Sequence, residues 1–316
     1  MDHVEIQPVP RRSRAAAIKF LVAGTSNDRQ TRAQEQVIQQ MVSRSGSAAI
    51  RLWWSRSGRT TLAVALVVEG AGRISMLFFS PPDAPGVDCA QLVRLIGEIS
   101  RDAVEGGMSL VQALIDPADS EQVAVLVDSG MMLLADLIYM SRNLLSRPPE
   151  PKDARDDLTW RNYKQFTEAQ LGEVILQSYT DSLDCPALRG VREMPDIIAG
   201  HKCSGAFCPE AWWIVGCGDQ ATPAGCILVN DSIRGPSADI IYMGVAREFR
   251  RQGLAGAMLD RAIAQASERN RQAVSVAVDT RNDHAIRVYE QSGFSEIHRR
   301  LAYVVLKSGP KKPDLK

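Results

Sequence analysis

The chain has 316 residues, of which 45% are hydrophobic and 23% are charged. This balance is typical of a folded globular protein, and the length allows two domains, each with its own core. The 37 basic and 37 acidic residues cancel and are mixed in both halves, which argues against nucleic acid or an anionic membrane as a partner. No apolar run could span a bilayer and no signal peptide is evident, so we expect a cytoplasmic protein.

The first half of the chain has the hydrophobic patterning of an α/β unit. The predicted strands are 4–9, 48–54, 61–69, 73–80, 110–115 and 131–140, and the predicted helices are 12–24, 31–44, 88–105 and 120–128. A proline-rich, charged segment follows at 146–156, and we expect it to be a linker. It separates an N-terminal domain, 1–145, from a C-terminal domain, 157–307, with a polar tail at 308–316.

The second half shows a similar alternation of strands and helices. Strands are predicted at 158–163, 211–216, 225–231, 238–245 and 273–279, with two more within 294–306. Helices are predicted at 167–179, 186–200, 253–270 and 282–293, the last capped by Asn282 or Asp283 and ended by Gly293.

One strand–turn–helix segment carries the clearest functional signal. An apolar strand at 239–245 leads through an arginine-rich turn to the start of a helix, where the chain reads Arg250, Arg251, Gln252, Gly253, Leu254, Ala255 and Gly256. A helix start leaves backbone N–H groups without partners, at the positive end of its dipole. Two arginines and small residues beside these donors predict an anion site that suits a pyrophosphate.

The spacing in this segment distinguishes among known anion loops. A Walker loop would need Lys-Ser or Lys-Thr after Gly253 or Gly256, and a dinucleotide fingerprint would follow the strand directly. What remains is the pattern [RQ]-x-x-G-x-[GA], met by Arg250, Gly253 and Ala255, which resembles the acetyl-CoA loop of the GNAT superfamily of N-acetyltransferases. A second run, NDHAIRVYEQSGF from Asn282 to Phe294, is similar to the family's N-x-x-A-x-x-[LV]-Y-x-x-x-G-F helix. The element order of 157–307 also resembles that of the family.

The two halves resemble each other at a shift of 163 residues, with Asp116 over Asp279 and Ser129-Gly130 over Ser292-Gly293. The resemblance therefore implies an α/β (α+β) chain of two tandem GNAT folds, each a mixed twisted sheet flanked by helices. We expect the N-terminal copy to be degenerate. Leu126 stands where Tyr289 would be, and the loop after residue 80 has three prolines and no arginine, so it lacks donors for a phosphate.

The resemblance also assigns roles in the second half. Backbone groups of Met243, Gly244 and Val245 would face the pantetheine of acetyl-CoA, and residues 250–256 would hold its pyrophosphate. Tyr289 would be the general acid that protonates the leaving sulfur, although a packed core tyrosine is the alternative. Asn282 would contact the pantetheine or would act only as a helix cap.

The general base is less defined by the sequence. Asp239 and Tyr242 lie on the strand where family members often place a carboxylate, and Glu248 lies in the turn. Since many members deprotonate the amine through water, Asp239 is only the first candidate.

The six cysteines and His201 give little reason to expect a metal. His201, Cys203 and Cys208 lie close together, but no second Cys or His pair follows with finger spacing. Structural thiols are therefore favoured, and no metal site is predicted.

The sequence leaves several functions open. The leading prediction is an N-acetyltransferase that transfers an acetyl group from acetyl-CoA to a primary amine of a small molecule or peptide by direct attack. The tandem arrangement is similar to mycothiol synthase, but no residue fixes that substrate. The alternatives are a non-catalytic CoA-binding or scaffold protein that retains the GNAT fold and, with less support, another nucleotide-binding α/β protein. The expected partners are acetyl-CoA and an amine, and the chain would be a monomer or a homodimer.

Overall fold

The computed structural model of the protein describes residues 4–23, 50–146, 155–218, 222–233 and 235–307. The predicted helix 31–44, most of the predicted linker and the predicted tail lie outside the described residues. The chain forms two compact units, one made of residues up to Leu134 together with those from Leu301 onward, and the other of Ala135–Arg300.

The first unit contains a mixed sheet covered by helices. Its strands β1 to β5 are Val4–Pro8, Ile50–Ser57, Thr60–Glu69, Ile74–Phe79 and Leu110–Ile115. Its helices α1, α2 and α3 are Arg14–Leu21, Cys89–Glu105 and Ser120–Asp128. Neighbouring strands are antiparallel from β1 to β4, and β4 runs parallel to β5. On β3, Val64 and Leu66 face the core beneath α1, whereas Ala65 and Val67 face the core beneath α2, as alternation along a strand requires.

The second unit has the same kind of layered architecture. Its strands are β6 at Met132–Asn143, β7 at Leu158–Asn162, β8 at Trp212–Cys217, β9 at Thr222–Asp231, β10 at Ser237–Val245 and β11 at Ala273–Asp279. Its helices are α4 at Glu168–Tyr179, α5 at Met194–Cys203, α6 at Leu254–Glu268 and α7 at Asp283–Gln291. The last strand, β12, covers Ser295–Leu306.

Helices cover both faces of the second sheet. Cys226 and Leu228 of β9 pack in the core with α4, whereas Ile227 and Val229 pack with α6. The strand alternates because successive side chains point to opposite faces, and both faces are apolar because both are covered. The mixed α/β architecture predicted from the sequence is confirmed.

The last strand of each half completes the sheet of the other unit. Residues 301–306 of β12 pair antiparallel with β5, and residues 137–143 of β6 pair antiparallel with β11. The compact units therefore divide the chain near residues 135 and 301, whereas the sequence suggested boundaries at 145, 157 and 307. The region 294–306, for which two strands were predicted, forms the single strand β12.

The internal repeat is visible in the element boundaries. Leu110, Ser120 and Met132 begin β5, α3 and β6, and Ala273, Asp283 and Ser295 begin β11, α7 and β12 at the same shift of 163 residues. One helix in the second half begins later than predicted. Residues 186–188 form a separate short 3₁₀ turn, and α5 begins only at Met194 and continues to Cys203.

Candidate active site

A cleft opens where β10 separates from β11. The two parallel strands pair over Ser237–Ile240 of β10 and Ala273–Val276 of β11. Beyond Ile240 and Val276, no described residues of these two strands pair with each other. β10 stays paired with β9 up to Val245, with an irregularity between Ile240 and Tyr242. Such a bulge increases the local twist and bends the strand. The resulting cleft has a volume of about 1140 Å³, large enough for an extended ligand.

The predicted strand residues Met243, Gly244 and Val245 all line this cleft. The N–H of Ala246 donates to the carbonyl of Ala224 at 2.8 Å, which directs it toward β9. Because peptide groups alternate along a strand, the N–H groups of Met243 and Val245 point to the opposite edge, which faces the cleft. The strand thus presents unpaired backbone donors to whatever occupies the cleft.

Close packing around residue 244 leaves no room for a side chain, so glycine is needed there. A Cβ at this position would lie 2.5 Å from Ser178 Oγ and 2.8 Å from the Tyr242 hydroxyl. These two hydroxyls bond each other and join β10 to the end of α4. Burial raises the pKa of Tyr242 well above its ordinary value, which keeps the phenol neutral.

One end of the cleft is formed by the start of α6, which no side chain caps. Gly253 precedes the helix in a left-handed conformation with φ of 77°, and the first turn contains no acidic residue. Leu254, Ala255 and Gly256 line the cleft. Beyond the backbone of its own helix, a Cβ on Gly256 would meet no atom of the described residues within 4 Å, so the space beside the first turn is open. The helix start therefore offers free N–H groups and a positive dipole end to an anion.

The arginines of this loop have different partners. Arg250 donates to the carbonyls of Ser178 at 2.9 Å, Thr180 at 2.6 Å and Val245 at 3.2 Å, so its guanidinium ties the loop to the end of α4. Arg251 lines the cleft, is exposed and forms no ion pair with a described residue. The side chain of Gln252, which the sequence placed with the cofactor contacts, donates instead to the carbonyl of Glu248 at 3.1 Å and does not line the cleft.

Tyr289 lies inside the cleft on α7. The residue is only 5% exposed, and its ring packs near Phe294 with centroids 5.7 Å apart. Its hydroxyl has no hydrogen-bond partner among the described residues, although the side chain lines the cleft. Burial raises the pKa of Tyr289 and the negative charge of Asp184 raises it further, so the hydroxyl keeps its proton.

Asn282 lies at the start of α7 and also lines the cleft. Its side-chain oxygen accepts a hydrogen bond from the N–H of Ala285 at 3.3 Å, which is the geometry of a helix cap. The matching residue of the first unit, Asp119, makes no such cap with its side chain.

Of the residues that the sequence suggested for the general base, Tyr242 lines the cleft, whereas the two carboxylates do not. Asp239 lies in the part of β10 that is still paired with β11, opposite Ser275, and does not line the cleft. Glu248 is exposed in the turn and does not line it either.

A carboxylate that no sequence motif indicated also lines the cleft. Residues 181–184 follow α4 and line the cleft, with Asp184 among them. Partial burial of its carboxyl group raises the pKa of Asp184, although the residue as a whole is exposed. The nearby carboxylate of Asp279 raises this pKa further.

The pKa of Asp279, at the end of β11, is shifted in the opposite direction. It is fully buried, and burial alone would raise its pKa, but hydrogen bonds from the side chain and backbone of Arg281 outweigh that effect and the pKa is lowered. The Arg281 Nε lies 2.9 Å from Oδ1 of Asp279. Asp279 is therefore a paired structural carboxylate.

Comparison with known proteins identifies this region. Residues 181–294 match the model of the acetyltransferase (GNAT) family, and this part of the chain is a GNAT domain. No protein with a curated description matches the chain in sequence.

Solved structures share the fold over the whole length. A GCN5-related N-acetyltransferase from Sphaerobacter thermophilus is 17% identical, with a TM-score of 0.66 over 97% of this chain and 96% of that one. A tandem GNAT protein from the clavulanic acid biosynthesis pathway is 16% identical, with a TM-score of 0.55 over 97% and 99% of the two chains. A glucosamine N-acetyltransferase region of a fungal multi-domain GH3 β-N-acetylglucosaminidase is 11% identical, with a TM-score of 0.63 over 96% of this chain and 38% of that one. The predicted family resemblance and the predicted tandem GNAT fold class are confirmed.

No group of three or more metal-ligating side chains lies together among the described residues, and Cys203 and Cys208 are free thiols. No helix in the described ranges is long and apolar enough to cross a membrane.

Proposed function

We propose that the protein is an N-acetyltransferase that moves the acetyl group of acetyl-CoA to a primary amine of a small molecule or peptide. The observation that carries this proposal is the cleft itself. Along one wall it has the free edge of β10, and at one end the uncapped start of α6. Inside it lies the hydroxyl of Tyr289, which has no hydrogen-bond partner among the described residues. Each feature matches one need of acetyl transfer from a thioester.

The uncapped helix start suits the pyrophosphate of acetyl-CoA. Its backbone N–H groups and the positive dipole end attract an anion, and the open space at Gly256 allows close approach. Arg251 adds a charge that no described residue neutralises. Arg250 contributes differently from the sequence expectation, since it holds the loop in place through backbone carbonyls.

The free edge of β10 suits the pantetheine and the thioester. The N–H of Val245 points into the cleft and would stabilise the negative charge that develops on the thioester oxygen. When the C–S bond breaks, Tyr289 would give its proton to the sulfur. A raised pKa keeps this proton in place until the C–S bond breaks and the sulfur, which becomes more basic than it was in the thioester, can accept it.

A coupled assay tests this proposal. Thermal shift against acetyl-CoA, CoA, ATP and NAD measures which cofactor binds, and thiol release from acetyl-CoA with a panel of amines measures turnover. We expect stabilisation by acetyl-CoA and CoA and thiol release with at least one amine. Stabilisation without thiol release for any amine would favour the non-catalytic scaffold, and stabilisation by ATP or NAD alone would overturn the proposal.

A further inference from the structure

The lining of the cleft contains a carboxylate that has no role in the proposed acetyl transfer. Asp184 lies in the segment after α4 and lines the same cleft as Tyr289. The two groups are close enough for the charge of Asp184 to influence the Tyr289 hydroxyl. A carboxylate thus faces the cleft that contains the hydroxyl proposed to protonate the leaving sulfur.

The segment that carries Asp184 is fixed from several sides. Arg250 bonds the carbonyls of Ser178 and Thr180 at the end of α4. The N–H of Asp184 donates to Ser182 Oγ at 3.1 Å, and Arg189 donates to the Ser182 carbonyl at 2.6 Å. The backbone of Asp279 lies close enough to the carboxyl group of Asp184 to affect its pKa. Such support holds a side chain in a defined position, as a group that acts on a substrate requires.

We propose that the carboxylate of Asp184 removes the proton of the acceptor's ammonium group, and that the acceptor is therefore an amine that arrives as a cation. This inference rests on the proposed acetyl transfer. The carboxylate attracts the cation into the cleft and then accepts its proton, directly or through one water. The free amine attacks the thioester carbon, and a C–N bond forms as the C–S bond breaks.

The protons balance in this scheme. One proton of the ammonium group goes to Asp184 and from there to solvent. The Tyr289 proton goes to the CoA sulfur, and the second proton lost by the nitrogen restores the Tyr289 hydroxyl. The products are the amide, the CoA thiol and one released proton.

The surroundings suit Asp184 to this step better than the neighbouring carboxylate. Asp279 is neutralised by Arg281 and fully buried, whereas Asp184 is open to the cleft. The raised pKa makes Asp184 a better base than an ordinary aspartate. The groups that interact electrostatically with it are Asp279, Arg281, Cys185, Tyr179, Tyr242 and Tyr289.

The test uses Asp184→Asn in the full chain, with Glu290→Gln as the matched control. Glu290 is an exposed carboxylate next to Tyr289 that does not line the cleft. With an alkylamine, we expect Asp184→Asn to lower kcat/KM by about 100-fold or more. With an arylamine that is already neutral at the assay pH, we expect the loss to be much smaller, because no proton has to be removed first. The control should match the wild type with both amines.

A pH profile and acetyl-CoA binding separate this role from a structural one. The wild-type profile of kcat/KM should fall at low pH as Asp184 takes up a proton, at a pH above the ordinary aspartate pKa, and Asp184→Asn should lose that limb. Acetyl-CoA binding should stay unchanged. Equal losses with both amines, an unchanged acid limb or full activity of Asp184→Asn would overturn the assignment while leaving the acetyltransferase intact. A wild type that binds no acetyl-CoA would instead overturn the proposed function, and the inference with it.

Discussion

The two units share an order of elements but differ at the helix that follows their central parallel strand. In the first unit, Asp88 caps α2, and its carboxylate accepts a hydrogen bond from the N–H of Gln91 at 3.1 Å. In the second unit, Gly253 precedes α6, and no side chain caps that helix. A carboxylate at the first site occupies the N–H donors and repels an anion, whereas the second site leaves its donors open.

The cavities of the two units also differ, and the larger one is in the second unit. In the first unit, a groove of about 410 Å³ lies between α2, α3 and the preceding loop, and Pro82, Cys89 and Asp128 are among its lining residues. In the second unit, the cleft of about 1140 Å³ lies between diverging strands. Leu126 is fully buried at the position that matches Tyr289. Under the proposed function, the fold is kept in both copies, and a helix cap and a single hydroxyl would decide which copy can act on acetyl-CoA.

The largest expected effect comes from filling the open space at the start of α6. Gly256→Leu should abolish measurable acetyl-CoA binding, a loss of at least about 100-fold, or about 2.7 kcal/mol. The Cβ of the new residue points into open space beside the helix, so the side chain is expected to extend toward the bound pyrophosphate instead of disturbing the core. Stability should not fall, because glycine inside a helix is less favourable than residues with side chains. Calorimetric titration and a melting curve measure the two quantities.

Gly256→Ala provides the graded control for this variant, with a smaller loss of affinity. Gly253 is a poorer place for the same test, because its φ of 77° would strain any larger residue and mix folding with binding. Unchanged acetyl-CoA affinity in Gly256→Leu would contradict the assignment of the anion site.

The next effect concerns the hydroxyl that the first unit lacks. Tyr289→Phe should lower kcat by about ten- to a thousandfold while acetyl-CoA affinity stays nearly unchanged. Phe keeps the ring against Phe294 and removes only the proton donor, which has no partner among the described residues. Steady-state kinetics with a competent amine, run beside a melting curve, measures this.

Tyr303→Phe serves as the control, since Tyr303 is an equally buried tyrosine in the core of the first unit. It should leave kcat unchanged. If Tyr289→Phe were folded and fully active, the acid role would be lost and Tyr289 would be a packing residue.

The active-site loop and helix could be predicted from the sequence because their signals are local. The spacing of Arg250, Gly253 and Ala255 after a strand indicates a helix start, and the Asn282 run defines α7. The positions of Met243 and Val245 follow from that strand. What these residues contact depends on distant parts of the chain, which local spacing does not encode.

Three features were therefore beyond the sequence. Arg250 looked like an anion ligand, but its partners are carbonyls about seventy positions earlier in the chain. Asp184 lies in an irregular segment without a motif, and only the fold brings it to the cleft. β6 pairs with β11, and β12 pairs with β5. The sequence does not predict this exchange, because the two strands are equivalent copies of a repeat and the pattern of either one fits either sheet. The only hint of Asp184 in the sequence was that an acidic residue lies in the segment between α4 and α5.

The smallest effect tests the capped helix of the first unit. Asp88→Ala should lower the free energy of unfolding by about 1 kcal/mol through loss of the cap. It should leave acetyl-CoA affinity and kcat unchanged, because α2 is not expected to hold the cofactor. Denaturant unfolding and titration check both points, and a change in acetyl-CoA affinity would show that the first unit takes part in binding.

The number of acetyl-CoA molecules bound per chain tests the central claim most directly. Calorimetric titration of the full chain should give one site, and Gly256→Leu should remove it completely while Asp88→Ala keeps it. Two equivalent sites in the wild type, or one site that survives in Gly256→Leu, would contradict the assignment of acetyl-CoA binding to the cleft of the second unit alone.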